Sequence, residues 1–383
     1  MNWELAPNRL SRALEEKRSA GAPILDLTES NPTAAGLVYP SEAILAALSD
    51  PRSLRYEPSA AGIAAARAAV SEYYSAALHR GVAPDRVLLT ASTSEAYAFV
   101  FKLLADAGDE VLVPRPSYPL FEFLGALDSL RVVQYPLSYD GRWSIDFDAL
   151  SRCITARSRA IVLVNPNNPT GSYLKASELA PLVSLCREHG LALISDEVFA
   201  DYLIDARTPL VRSLASVDEV LTFCLSGLSK VAALPQLKLG WIVTGGPNGL
   251  RQKAFERLEL IADTYLSVAA PVQRAAPALL GLRGELQRQI IDRVEANRAL
   301  IALRIGQQSP WRLLASEGGW YAVIEAPRIY SEEEWVLKLL ARENVLVQPG
   351  FFFDFDREAF LVVSLLTPEP VFREGMQRIL ARV

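Results

Sequence analysis

A chain of 383 residues that is 50% hydrophobic can close a large core, which excludes an intrinsically disordered protein. It has room for one large α/β domain with a smaller companion, or for two similar domains. The formal net charge of −5, with no block of basic residues, argues against nucleic acid or an anionic membrane as partner. Three scattered cysteines, Cys153, Cys186 and Cys224, argue against a disulfide framework and fit a reducing cytoplasm. His79 and His189 have no ligand-like spacing to them, which argues against a zinc site. The first residues carry acids and no long apolar run, so they do not read as a secretory signal, and no run is long enough to span a membrane.

In chain order, residues 1–21 read as a short segment followed by a helix with Leu10 and Leu14 at helical spacing. "LDLTESNPTAAGLVYP" is punctuated by Pro and Gly and reads as a loop. Ala-rich sequence from Pro58 to about His79 reads as a helix. Seven short β-branched or leucine-rich runs follow: "RVLLT", "EVLVP", "RVVQYPL", "RAIVLVN", "LALIS", "VLTFCLS" and "LGWIVT". Helical patterns such as "SEAYAFVFKLLADAG" and "SELAPLVSLCREHG" separate several of them. That alternation predicts a mostly parallel seven-stranded sheet flanked by helices. From Leu250 to about Ile305 the pattern is helical, with Pro271 and Pro277 marking a break. "WYAVIEA", "VLVQPG" and "AFLVVSLL" then add strands among helices. The reading is an α/β fold with a large domain over 41–274 and a smaller α+β domain built from both chain ends, 1–40 and 275–383.

Ligands in such sheets sit outside the carboxyl ends of the strands. Ser92, Thr93 and Ser94 lie where the first strand turns into a helix, a place suited to phosphate and equally to an ordinary helix cap. Asn168 lies in "PNNPTG" after the fourth strand, in sequence that also builds turns. Asp196 ends the apolar run "LALIS", where an acid needs a cation or a cap to serve. Lys230 follows "VLTFCLS" in the stretch "LSGLSKVAALPQLKLGW", which carries a second lysine, Lys238. A desolvated lysine gives up its proton readily and forms a Schiff base with a carbonyl. An anion cradle, an acid, an asparagine and a nucleophilic lysine at the ends of one sheet make the set that pyridoxal 5'-phosphate requires.

The pieces "RYEPSAAG", "PSYP", "NPNNPTG", "SDEVF", "SK" with "LKLGW", and "EGGWY" resemble, in this order, a fold-type I pyridoxal-phosphate enzyme of the class I/II aminotransferase group. The resemblance spans nearly the whole chain. It implies that Lys230 is the Schiff-base lysine and proton shuttle, and that Asp196 pairs with the pyridinium nitrogen. It places Asn168 at the cofactor's phenolic oxygen and Tyr118 on the ring face. Ser92, Thr93, Ser94 and Lys238 fall to the phosphate, and Tyr56 to the phosphate of the neighbouring subunit of a homodimer. The implied activity moves an amino group from an amino acid or related amino donor to a 2-oxo acid.

Three positions depart from the family pattern. Gly227 stands where many relatives have a phosphate-binding serine, and Phe199 where a tyrosine is common, with Tyr202 three residues on. Val362 stands where relatives carry the arginine that clamps the substrate carboxylate; Asn168 and Gln348 are the neutral donors left to that task. A β-eliminating C–S lyase of the same fold is the alternative, since it begins with the same proton removal. A non-catalytic cofactor-binding regulator would carry an added DNA-binding domain and less acidic sequence. A nicotinamide enzyme would need a Gly-x-Gly-x-x-Gly after the first strand, and none follows it.

Overall fold

The computed structural model describes residues 6–78, 81–205, 207–306 and 309–382. The runs read as strands form one sheet. In chain order they are β1 (Val87–Thr90), β2 (Glu110–Arg115), β3 (Arg131–Tyr139), β4 (Trp143–Ile145), β5 (Ser158–Val164), β6 (Ala192–Asp196), β7 (Thr222–Gly227) and β8 (Gly240–Gly245). The spatial order is β1-β8-β7-β6-β5-β2-β3-β4. β7, β6, β5, β2 and β3 run parallel, while β8 is antiparallel to both β7 and β1. The seven expected strands are all present. The eighth, β4, is a three-residue return of a hairpin on the edge of β3, too short to stand out in sequence.

The central strands are buried on both faces, which is why they read as continuous apolar runs and not as alternating ones. Along β1, Val87 and Leu89 pack on one side and Leu88 on the other. The first side is covered by α1 (Ala64–Leu78) through Ala66, Val70 and Tyr74. The second is covered by α2 (Thr93–Leu104) through Phe99 and Val100 and by α3 (Asn248–Tyr265) through Leu258.

A 35-residue helix, α4 (Ala270–Arg304), runs from this core into another. Val272, Ala275 and Leu279 belong to the first cluster; Leu286, Ile290, Val294 and Ile301 belong to the second, with Leu10, Leu27, Trp335 and Phe372. The expected boundary at 274/275 thus falls inside one continuous helix. The expected helix break moves too: α3 ends at Leu266 in a left-handed conformation, Pro271 sits in the first turn of α4, and Pro277 lies inside it. A proline in a first turn replaces an N–H that has no helical partner anyway. The second core carries a four-stranded antiparallel sheet of β9 (Arg312–Leu313), β10 (Tyr321–Glu325), β11 (Gln348–Pro349) and β12 (Phe360–Ser364), ordered β9-β10-β12-β11. Leu25–Asp26 pairs with Val345–Leu346, which ties the N-terminal segment to this unit.

Candidate active site

Register gathers the site. Thr90 pairs with Gly240 and Gly240 with Gly227, so three adjacent strands end in one row; Asp196 pairs with Leu225 beside them. α2 starts at this row. Ser92 caps it, its hydroxyl accepting the Glu95 N–H at 3.1 Å, so the cap reading holds for this hydroxyl. The cap leaves other first-turn N–H groups, those of Thr93 and Ser94 among them, at a positive helix end. A Cβ on Gly240 would lie 2.9 Å from the Ser92 carbonyl carbon. That close approach lays the segment just after Lys238 alongside the helix start. Lys238 itself is exposed and in the left-handed region, with φ of 52°.

Lys230 sits in the single turn Leu228–Val231 that follows β7. Its Nζ lies 4.7 Å from the centroid of the Trp320 ring and 5.5 Å from that of Phe199. Burial among these rings lowers its pKa to about 8, against the opposing pull of Asp196. Tyr202 Oη donates to the Lys230 carbonyl at 2.6 Å, so this phenol fixes the lysine backbone and does not replace the one missing at Phe199.

Asp196 and its neighbour Glu197 separate function from structure. Glu197 is buried and Asp196 partly so, and desolvation raises both pKa values. Glu197 is satisfied by the hydroxyls of Ser195 and Ser213, at 2.9 and 2.6 Å, and by the Leu214 N–H at 2.8 Å. Asp196 receives only the Val198 N–H at 3.2 Å and Tyr97 Oη at 3.1 Å. Its pKa rises to about 6, and no direct ion pair reaches it among the described residues. A buried carboxylate in that state lacks a cation.

The loop after β5 divides in the same way. Asn165 holds Val211 and Leu174 through its amide, and Asn167 holds Thr170. Asn168 is buried with Oδ1 unpartnered. Gly171 takes a φ of +70°, and a Cβ there would lie 2.3 Å from the Gly318 carbonyl oxygen. The loop therefore packs directly on the turn before β10, where Lys175 also meets Glu317 at 2.9 Å. Tyr321, next along, stands with its ring edge-on to that of Phe199 at 6.2 Å.

Tyr118 is half-exposed and lines, with Phe121, Gln348 and Phe352, a cavity of about 470 Å³. Tyr56 is 81% exposed, with no side-chain hydrogen-bond partner among the described residues, beside a separate cavity of about 220 Å³. Gly227 has no space for the serine of relatives, because a Cβ would lie 2.8 Å from the Leu239 carbonyl oxygen. Val362 is fully buried with Trp143, Leu314, Val323 and Phe353. β12 carries no cation at any position, so no one-residue slip restores the clamp. Sequence reasoning missed Tyr97, Trp320 and Tyr321. Tyr97 lies three residues after Ser94 on α2, a spacing that shares a helix face; "EGGWY" was recognised as a piece without roles.

A lysine with a lowered pKa, an acid with no paired cation, an asparagine amide that can donate through its nitrogen, and a helix N-terminus fit the aldehyde, ring nitrogen, phenolic oxygen and phosphate of pyridoxal phosphate. The family model described as aminotransferase class I and II matches residues 22–379. The chain is 29% identical to the glutamate-pyruvate aminotransferase AlaA of Escherichia coli K12, over 93% of this chain and 88% of that protein. It is 30% identical to an alanine aminotransferase of Mycobacterium bovis, over 88% and 80% of the two chains. The solved alanine aminotransferase of Pyrococcus furiosus superposes with a TM-score of 0.87 at 25% identity, covering 97% of this chain and 95% of that one.

Proposed function

Because this chain belongs to the class I and II aminotransferases, whose cofactor is pyridoxal phosphate, we propose that Lys230 and Asp196 carry its transamination chemistry. The observation that supports this most directly is the opposed shift of the two groups: the amine is pushed down to about 8 and the acid up to about 6. When bound, pyridoxal phosphate supplies an aldehyde that captures amines and a cationic ring that accepts an electron pair. Lys230 would hold the aldehyde, and its free amine would serve as the base and acid that moves a proton at the substrate Cα. Its lowered pKa leaves a useful fraction of free amine near neutral pH. Asp196, as a carboxylate, would accept the hydrogen bond of the protonated ring nitrogen and so favour that protonated form, with Tyr97 orienting the carboxylate.

Asn168 donates to the phenolic oxygen, and Tyr118 covers the ring. The N-terminus of α2, from Ser92 through Thr93 to Ser94, receives the phosphate with Lys238 as countercharge. The amino donor and then a 2-oxo acid occupy the same site in turn. A homodimer in the cytoplasm completes the reading. The exposed Tyr56 then serves the partner's phosphate, which accounts for a large polar aromatic with no partner in its own chain. The test is a half-reaction screen. Holoenzyme is mixed with single amino compounds and the visible absorbance of the bound cofactor is followed. Wild type should lose that absorbance with at least one compound, and Lys230→Ala with none at a comparable rate. Pyruvate and ammonia released with no oxo-acid acceptor present would favour the lyase instead.

A further inference from the structure

We propose that Tyr39 and Gln287 are positioning residues for Lys230: by holding the turn that carries the lysine, they set where its amine meets the carbonyl it attacks. This rests on the aminotransferase reading, and it makes the N-terminal segment part of the site.

The turn cannot set its own shape. Leu228–Val231 is a single helical turn, and one turn has too few hydrogen bonds to offset the order it demands. Its last carbonyls lack helical partners. It also lies on the seam between the two cores: Val231, Ala232 and Leu234 pack in the first cluster and Ala233 in the second. At that crossing Ala233 is left-handed, with φ of 54°. A residue with a Cβ holds that conformation only where its surroundings impose it.

Three side chains from three distant segments hold this stretch. Tyr202 Oη donates to the Lys230 carbonyl at 2.6 Å, Gln287 Nε2 to that of Val231 at 2.8 Å, and Tyr39 Oη to that of Ala233 at 2.7 Å. Tyr202 follows the strand that ends in Asp196, Gln287 lies on α4, and Tyr39 belongs to the N-terminal segment. That segment is clasped by α4 in turn. Gln289 accepts the Val38 N–H at 2.8 Å and donates to the Val38 carbonyl at 2.9 Å, and Arg293 donates to the Ala35 carbonyl at 3.0 Å. The Tyr39 ring packs against both cores. A lysine amine rides on a flexible four-carbon stem, so its reach is fixed only as well as its backbone is. The hydrogen bonds of Tyr39 and Gln287 go to the lysine turn, and those of Asp196 come from Tyr97 and Val198. Loss of a donor at Tyr39 or Gln287 therefore moves the lysine and leaves the rest of the cofactor's binding groups in place.

The experiment compares two forms of the cofactor on the full chain. Pyridoxal phosphate condenses with the Lys230 amine and releases water; pyridoxamine phosphate, with an amine in place of the aldehyde, does not. Both carry the same ring and phosphate. Dissociation constants of the apo protein for each are measured by equilibrium dialysis. Tyr39→Phe keeps the ring and removes the donor, and Gln287→Met removes the donor at similar volume. Each should raise the constant for pyridoxal phosphate by roughly three- to tenfold, the size of one neutral hydrogen bond, and leave that for pyridoxamine phosphate nearly unchanged. In a Lys230→Ala background neither substitution should matter to either form. Equal weakening of the two forms would make Tyr39 and Gln287 packing residues and overturn the proposal, as would an aldehyde-specific loss that persists without Lys230. Borohydride trapping separates the two levels. If wild type with pyridoxal phosphate shows no visible band and borohydride fixes no cofactor to Lys230, the aminotransferase reading fails. If Lys230 is labelled and the ratio of the two constants is unmoved in both variants, only this proposal fails.

Discussion

Replacing Asp196 by Asn should stabilise the protein without cofactor and weaken its hold on the cofactor. Without cofactor Asp196 is partly buried, with two side-chain hydrogen bonds and no direct ion pair among the described residues. Its pKa rises from an ordinary 3.8 to about 6. The native state therefore keeps this proton over a range in which the unfolded chain has lost it. Where the native state binds more protons, stability falls as pH rises. The cost is absent below about pH 4, grows through the window between the two pKa values, and is complete above about pH 6. Two pKa units correspond to ~3 kcal/mol. An asparagine retains the acceptor for Val198 and a partner for Tyr97 while removing the charge. The variant's apo form should gain about 1–3 kcal/mol at pH 7.5 and nothing at pH 4. The assay is urea unfolding of apo protein at fixed protomer concentration across that pH range, because dimerisation would otherwise shift the midpoint. Cofactor binding should move the other way, since the ring N–H loses its ionic partner. An apo variant less stable than wild type at pH 7.5, or a difference that does not change with pH, would refute the reasoning.

Lys230→Ala should abolish turnover and the visible band of the lysine-bound cofactor while keeping noncovalent affinity, whereas Lys238→Ala should keep the band and lose affinity for the phosphate-bearing cofactor; difference spectra and equilibrium dialysis separate them. Gly227→Ser should cost stability and not add a phosphate ligand, because its Cβ meets backbone at 2.8 and 3.0 Å; overpacking of this kind costs about 1–3 kcal/mol, read from a urea midpoint. If Tyr56 serves the partner's site, mixing Lys230→Ala with a crippled Tyr56→Phe should regenerate activity as subunits exchange, since one site of each mixed dimer is whole. No recovery after exchange, verified by native mass spectrometry, would return Tyr56 to its own chain.

The large sheet was legible because its central strands are buried on both faces and announce themselves as apolar runs, while β3, half-exposed toward the edge, showed through its β-branched residues. β4 was not, because three residues on a sheet edge carry no period. The roles of neighbouring like residues were not legible either. Asp196 and Glu197 are adjacent acids in one motif, and sequence offers no reason to treat one as ligand and the other as structure. The structure separates them because successive residues at a strand end point to opposite sides: one side holds Ser195, Ser213 and the Leu214 amide, and the other does not. The same holds for Asn165, Asn167 and Asn168. Proline was misleading at position 277, where local chemistry suggested a break and the packing of α4 against both cores prevailed. Val362 could be read two ways, as a core residue or as the place of a lost clamp. The structure shows the first, packing Val362 into an apolar cluster.

The contacts between the two cores bear on how the site can open. The Tyr202 phenol holds the Lys230 carbonyl, and the Tyr202 carbonyl accepts the Gly319 N–H at 2.8 Å. The Gly171 carbonyl accepts the N–H groups of both Glu317 and Gly318, and Lys175 pairs with Glu317. Residues 317–320 are thus bound to the lysine turn and to the Asn168 loop by backbone bonds that lie mostly among buried groups. On the other side of the cavity, one backbone bond, Ser117 N–H to the Phe353 carbonyl at 2.9 Å, joins the Tyr118 loop to residues 350–353. Breaking one hydrogen bond costs about 0.5–1.5 kcal/mol, and breaking the set on the other side costs several times that. Opening for substrate therefore runs through the Tyr118–Phe353 side, while Trp320 and Tyr321 stay fixed to Lys230. A wall that keeps its distance from the nucleophile is the one that sets substrate choice, and a wall that moves sets access. By this criterion substitutions at Phe351 or Phe352 should alter the rate of substrate entry, and substitutions at Tyr321 the preference between substrates. Stopped-flow traces with one good and one poor donor would distinguish them: a Phe352→Ala change that altered the ratio of the two donors, with no change in the rate of either binding step, would contradict this division.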